Sequence, residues 1–410
     1  MKLYRRHLKY ILLALVALFS TALQAQNEQP DSLLKQMDSV TISLLTCSPG
    51  QEIWSLYGHT AIRYQDKAHD TDLAINYGMF SFNQKNFIIR FVFGRCDYKM
   101  DVEPMGMFLM EYAQDGRGVV QQTLNLSREE KMAITQALAA NIQPENRTYR
   151  YNFFYDNCTT RARDIIVNHL SGKVDYAVNP DVTSSYREMV HQWNEDHPWM
   201  SAGCDLLLGV GSDSKTDFAQ QQFLPDTLRK DFDKAMVVDA TGHKHKLVTS
   251  ETDILKINDA NVKTYKGIWN YITPTILSWI LVAFTIFIIY LETRRKKVFW
   301  LFDVVMLTLY GLAGIVLFAM IFSYHPTVRV NFQIFLLNPL ALFFAYSIGS
   351  SITKGRFSKL WNVLAVFLIL FIIGNFFQDY ASGVNNLALI LLLRYGVNRR
   401  IYLNPKKKDK

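Results

Sequence analysis

From Trp269 onward the chain consists of long apolar runs, over 271–291, 299–322, 332–350 and 360–377, with a weaker fifth over 383–397 whose continuous apolar core is only Leu387 to Leu393. Crossing a bilayer as a helix takes about 20 such residues. In hydrocarbon, each backbone N–H and C=O has to be satisfied within the protein, so lipid-exposed segments of this kind can only be helices. The sequence therefore predicts a C-terminal bundle of about five transmembrane helices, the fifth short, tilted or re-entrant.

Charges between the runs set the orientation. Arg294-Arg-Lys-Lys297 follows the first run, Lys354, Arg356 and Lys359 follow the third, and Arg399, Arg400 and Lys406-Lys-Lys408 follow the fifth. The connections after the second and fourth runs carry only Arg329 between them. Basic loops stay in the cytoplasm, which puts everything before Trp269 outside and the C-terminus inside. The N-terminus points the same way independently. Lys2, Arg5, Arg6, His7 and Lys9 precede the apolar stretch Ile11 to Leu18, and Leu23-Gln24-Ala25 is an acceptable cleavage site, the pattern of a secretory signal. The expected organisation is a signal peptide at 1–25, an exported domain at 26–265, a transmembrane helical domain at 266–400 and a basic cytoplasmic tail at 401–410. The protein would then be a multi-pass membrane protein with its soluble domain outside the cytoplasm. The net charge of +8 lies largely in clusters beside the apolar runs, a membrane pattern rather than a nucleic-acid one, and no nucleic-acid motif accompanies it. His325, Asn331, Gln378, Asp379 and Asn385 fall on the outer face, while Asp303 falls near the inner one.

Residues 26–265 read as α+β. Strands are expected over Val40 to Cys47, Thr60 to Tyr64, Leu73 to Tyr77, Cys96 to Val102 and Arg117 to Leu124. Helices are expected over 30–40, 53–57, 86–93, 186–193 and 224–236, and Ser127-Arg-Glu-Glu130 is a capping box opening a helix to about Ile142. Much of 171–265 has no clear pattern. The four cysteines, Cys47, Cys96, Cys158 and Cys204, show neither CxxC spacing nor a Cys/His metal pattern. No metal or nucleotide site is expected, and two of the three cysteines other than Cys158 form a disulfide or all three are buried thiols.

The chemistry concentrates in Tyr151 to Asp164. The aromatic run ends in Asp156-Asn157-Cys158 and a helical pattern follows, so Asp156 or Asn157 is the N-cap and Cys158 sits in the first turn. There the helix dipole and unpaired N–H groups favour a thiolate and can hold an oxyanion. A thiolate catalyst needs a base and a group that orients the base. His59, in Leu56-Tyr-Gly-His-Thr-Ala-Ile-Arg63, supplies the base. Asn76, in Ala74-Ile-Asn-Tyr-Gly78, is the candidate orienter on the neighbouring hairpin strand, with Asp72 the alternative. Tyr57 is a candidate oxyanion donor or a core aromatic. Arg63 is a candidate phosphate contact or an ion-pair partner.

A histidine opening a strand with a cysteine later at a helix N-terminus resembles the circularly permuted papain-like (LRAT/NlpC-like) fold. More closely, Cys47-Ser-Pro-Gly50, Tyr57-Gly-His-Thr-Ala-Ile-Arg63, Ile75-Asn-Tyr-Gly78, Tyr151 to Asp164 and Asp205-Leu-Leu-Leu-Gly209 are similar to the exported domain of the Lnb-type bacterial lipoprotein N-acyltransferases. His325-Pro326, Asn331 and Asn338-Pro-Leu340 suit the apolar region of that family. The resemblance implies a cofactor-free N-acyltransferase. It would move an acyl chain from a phospholipid, through a Cys158 thioester, to the N-terminal amine of a diacylated lipoprotein whose first cysteine is lipid-modified. His59 and Asn76 would complete the site, with His325, Asn331, Asp379, Tyr57 and Arg63 as substrate-binding candidates. Two other classes compete: a papain-like peptidase or peptidoglycan amidase, and a non-enzymatic membrane scaffold.

Overall fold

Alternation of apolar and polar side chains selects strands through the first half of the chain, and the computed structural model, which describes residues 30–80, 85–176, 184–261 and 267–403, arranges them in one large sheet. The signal at 1–25 and residues 404–410 of the tail lie outside the described residues. By compactness the chain forms two units, the first made of residues up to 87, 96–184 and 216–265, the second of 88–95, 185–215 and 266–410.

In the first unit, helix α1 (Pro30–Gln36) leads into β1 (Val40–Cys47). Strands β2 (His59–Asp66) and β3 (Thr71–Met79) follow. A short helix α2 (Phe87–Val92) lies, all but its first residue, in the 88–95 segment of the second unit, after which the first resumes with β4 (Asp97–Pro104), α3 (Met105–Gln114) and β5 (Val119–Leu124). Then come α4 (Arg128–Asn141), β6 (Thr148–Arg150), α5 (Cys158–Val167) and β7 (Lys173–Asp175). Helices α6 (Tyr186–Asn194) and α7 (Pro198–Leu207) belong to the second unit, after which the first resumes with α8 (Pro225–Lys234), β8 (Met236–Val238), β9 (Lys244–Lys246) and β10 (Val248–Leu255). The sheet is antiparallel in the order β10-β5-β1-β2-β3-β4-β6, and β7, β8 and β9 make a separate small sheet.

Period-two alternation gives the large sheet two buried faces. One carries Ile42, Leu44, Ile62, Tyr64, Ile75 and Tyr77 and is covered by Ala162 and Ile166 of α5. The other carries Leu45, Cys47, Ala61 and Ala74 and is covered by Phe108 and Tyr112 of α3. Each large apolar side chain so buried stabilises the unit by roughly 1.5–3 kcal/mol. Gly58 turns the chain into β2 at φ +78°, where an added Cβ would lie 2.7 Å from the Cys47 carbonyl oxygen, so this position tolerates only glycine. The turn fixes where β2 begins, and hence where His59 stands.

The expected strands and the Ser127 capping box are present, and the Ser127 hydroxyl and Glu130 carboxylate each accept the other's backbone N–H. Two features depart from the expectation. Helix α3 and strand β10 were not legible, because α3 is apolar almost throughout and β10 is mostly polar and exposed on an edge. Residues 53–57 form turns, with Ile53 and Trp54 exposed, instead of a short helix. Of the two alternatives for the cysteines, that of thiols holds: no disulfide joins any of the four, with Cys47 and Cys96 buried and Cys204 half-buried.

The second unit holds α9 (Pro274–Arg295), α10 (Trp300–Met320), α11 (Leu340–Thr353), α12 (Leu360–Gly374) and α13 (Val384–Tyr402). Three stretches, Pro274–Arg295, Trp300–Met320 and Phe332–Thr353, are long and apolar enough to cross a membrane, and Leu360–Gly374 is a shorter apolar helix. Helix α13 extends past the expected end at 397 and carries a fully buried Arg394. Its guanidinium donates to Asp303 Oδ1 and Glu292 Oε2, each at 2.6 Å, and Asn398 donates to the other Asp303 oxygen at 3.0 Å. A charge taken out of water needs such partners on every side. This cluster is why a polar fifth run still packs into the bundle.

Candidate active site

Local sequence builds the nucleophile's position. Asn157 has an extended backbone and caps α5, its carboxamide oxygen accepting the N–H groups of Thr159 and Thr160 at 2.9 Å each. Its amide NH₂ donates to the carbonyls of Phe153 and Phe223, so the cap residue is held from both ends. Cys158 is the first residue of the helix, so its N–H is one of those an α-helix leaves without an intrahelical partner.

Cys158 and His59, 99 positions apart, meet here. The His59 imidazole and the Thr60 backbone N–H both favour the thiolate, Thr159 Oγ1 lies 3.9 Å from the sulfur, and Thr60 Oγ1 lies 3.1 Å from Thr159 Oγ1. Burial disfavours the thiolate, but the His59 charge and hydrogen bond outweigh it, aided by the Thr60 N–H and the Thr159 hydroxyl, and bring Cys158 down to about 7. His59 moves the opposite way. Burial pulls its basicity down, and the neighbouring sulfur's charge and hydrogen bond carry it above the ordinary histidine value. Opposite shifts of this kind describe a thiolate–imidazolium pair.

The third residue lies on β3. His59 and Asn76 point to the same sheet face, and the His59 Nε2–H donates to Asn76 Oδ1 at 2.9 Å. Gly78 N–H donates to that same oxygen at 2.8 Å, which fixes the carboxamide and leaves the imidazole Nδ1 for the sulfur. The alternative orienter, Asp72, makes a bidentate pair with Arg63 at 2.6–2.7 Å, and Arg63 also donates to Gln121. Arg63 is thus tied to the sheet and stands apart from the thiol. Tyr57 packs on Phe153, ring centroids 4.8 Å apart.

Sequence reasoning missed two contributors. Thr60 acts through its backbone, for which a residue letter carries no signal. Glu103, on β4, feels the His59 charge. Burial and the nearby Glu111 and Asp101 push its carboxyl up to about 7, a grouping that needs the β3–β4 register. An open depression of about 370 Å³ lies along α5 between Arg161, Asp164, Ile165 and Asn168, but neither Cys158 nor His59 lines it.

Residues 32–192 match the family description Lnb N-terminal periplasmic domain, and residues 266–406 match Lnb transmembrane domain. This chain belongs to the Lnb family. It is therefore a membrane protein with a periplasmic N-terminal domain and a lipoprotein N-acyltransferase-like role. No curated protein and no solved structure gives a match.

The remaining candidates lie in the second unit, the part of this Lnb protein that holds the membrane helices, and do not form one cluster. Asn331 is buried. Its NH₂ donates to the Leu206 carbonyl at 2.8 Å and its oxygen accepts from Gln378 at 3.0 Å. Gln333 donates to the Asp205 carbonyl at 2.9 Å. Asp205 pairs with Arg187, which is 1 % exposed and also bonds Asp213. This network ties the 185–215 excursion, including the Asp205-Leu-Leu-Leu-Gly209 segment, to the connection after α10. His325 packs against Gly94, and burial lowers its basicity. Asp379 is exposed, and its backbone N–H donates to Asp213.

Proposed function

We propose that this protein transfers an acyl chain from a phospholipid to the N-terminal amine of a diacylated lipoprotein by way of a Cys158 thioester. The Cys158–His59–Asn76 geometry is the observation that carries the reading: a thiol brought to about 7 at a helix start, paired with an oriented imidazolium. In the first half-reaction the thiolate attacks the ester carbonyl. The C–S bond forms, the ester C–O bond breaks, and the imidazolium gives its proton to the departing lysophospholipid oxygen. The Cys158 N–H, at the start of α5, donates to the oxyanion, with the positive end of the helix behind it. In the second half-reaction the neutral acceptor amine attacks the thioester and the C–S bond breaks. Neutral His59 takes the amine proton, which restores the thiolate–imidazolium pair. Asn76 keeps the Nε2–H in place throughout, so the working nitrogen is always the one facing sulfur. Exclusion of water from the thioester separates transfer from hydrolysis.

Both substrates are lipids anchored in a bilayer, which accounts for a thiol domain and membrane helices on one chain. His325, Asn331 and Asp379 act mainly as structure in this reading, positioning the outer connections rather than touching substrate. Incubation with a phospholipid carrying a labelled fatty acyl chain, without acceptor, tests the mechanism. The reading requires label on Cys158 as a hydroxylamine-sensitive adduct, lost in Cys158→Ser and His59→Ala and discharged by an N-terminal diacylglyceryl-cysteine peptide. Cleaved peptide without any acyl-enzyme would instead mark a peptidase. Unaltered function in both variants would mark a scaffold.

A further inference from the structure

The segment Ile88–Arg95 belongs in sequence to the periplasmic domain but is compact with the membrane unit. The short helix α2 buries none of its residues, and Ile88, Ile89 and Phe91 are 76 %, 58 % and 50 % exposed.

The other end of the segment is fixed. Tyr324 N–H donates to the Phe93 carbonyl at 3.0 Å. The Arg95 guanidinium lies 5.0 Å over the Tyr324 ring and also reaches its hydroxyl. Gly94, at φ +63°, sits so close that an added Cβ would lie 2.9 Å from the His325 ring and 3.0 Å from Ser323 Oγ. These partners directly follow α10, one of the helices able to cross the membrane. The last residues of that apolar stretch, Phe318, Ile321 and Phe322, are 48 %, 40 % and 62 % exposed. A segment of the periplasmic domain can dock only on a periplasmic end, so residues 321–325 mark the outer surface of the bilayer.

We infer that Ile88, Ile89 and Phe91 are inserted into the outer leaflet of the membrane, as an interfacial wedge held at the lip of α10. The segment is tied to the residues that directly follow the exposed apolar end of α10, and the environment of a spanning helix at that depth is lipid. Arg95 and Tyr324 are of the residue types that settle at the headgroup level, and they close the inserted part from the aqueous side. Continuity with lipid-facing side chains favours the bilayer over a second protein. The inference rests on the transmembrane character of α10 and not on the thiol mechanism.

Photocrosslinking tests it on the full chain in vesicles of phosphatidylethanolamine carrying a tagged phospholipid. A benzophenone amino acid replaces Ile88, and in a second variant Ile89; neither position is buried, so the fold tolerates both. The same group at Phe343 of α11, 74 % exposed, gives the yield expected in lipid, and at Lys244 of β9 the yield expected in water. The wedge predicts tagged-phospholipid adducts at both positions approaching the Phe343 yield. A yield equal to that at Lys244 overturns it. So does a crosslinked species of doubled mass, which would mean that a second copy of the chain covers the segment.

Discussion

Gly78→Ala is the sharpest perturbation of the site, because it adds one methyl group and removes no functional atom. Gly78 has no left-handed backbone, so alanine fits the strand conformation. The new Cβ would lie 2.5 Å from His59 Cε1 and 3.3 Å from both His59 Nδ1 and Asn76 Oδ1. Ordinary contact begins near 3.4 Å. The imidazole therefore has to withdraw by about 1 Å, a misplacement that costs roughly 10²-fold in rate. It also stretches the 2.9 Å bond to Asn76 and loosens the contact with sulfur. The expected loss in kcat/KM is then about 10²-fold, or about 2.7 kcal/mol of transition-state stabilisation. Folding is spared, since Gly→Ala at a compatible position stabilises by about 0.4–1 kcal/mol through the unfolded chain, which offsets part of the local crowding. The assay is transfer of a labelled acyl chain to a diacylglyceryl-cysteine peptide, run beside thermal unfolding and iodoacetamide titration of the thiol. A fully active Gly78→Ala protein would show that the imidazole position does not matter and would refute the site. Lost activity together with a large drop in unfolding midpoint would show that the methyl group disturbs the sheet instead.

The remaining predictions use other parts of the molecule. Alkylation of Cys158 should rise with pH through a midpoint of about 7, because the thiolate is the reactive form and is populated above that value. His59→Ala should move the midpoint upward, towards that of an ordinary thiol, as burial is then no longer opposed. Acyl transfer should show a bell-shaped pH profile, lost at low pH as the thiolate protonates and at high pH as His59, raised by its partner, gives up its proton; Glu103→Gln removes a neighbouring negative charge and should shift the upper limb to lower pH. Arg187→Met strands Asp205 and Asp213 without their cation and should destabilise the membrane unit by roughly 3–5 kcal/mol, read as a lower unfolding midpoint in detergent, with the alkylation midpoint of Cys158 unmoved. Arg394→Met should do likewise by leaving Glu292 and Asp303 buried together, and restoring the midpoint by also changing Glu292→Gln and Asp303→Asn would confirm that the loss is electrostatic.

Local patterns in the sequence were enough for whatever depends on neighbours along the chain. Period-two alternation marked β1 to β3, the Ser127 cap and the Asp156-Asn157 pair marked the starts of α4 and α5, and apolar length marked α9 to α11. That also put Cys158 at a helix start and His59 at the head of a strand, since both positions are set by a cap or a turn next door. Pairing of distant segments decided the rest. The choice of Asn76 over Asp72 depends on the β2–β3 register, which sets Asn76 near the start of β2 beside His59 and leaves Asp72 further along the same face, next to Arg63. The donor on sulfur is a backbone N–H, and backbone groups look alike in every sequence. The buried Arg394 could be accepted into α13 only because Glu292 and Asp303, from other helices, reach it; one-dimensional hydropathy sees the charge and not its partners. The division of the chain into two units, with 88–95 and 185–215 compact with the membrane helices, was likewise invisible, because composition changes only at Trp269 while docking is decided by hydrogen bonds across more than a hundred residues.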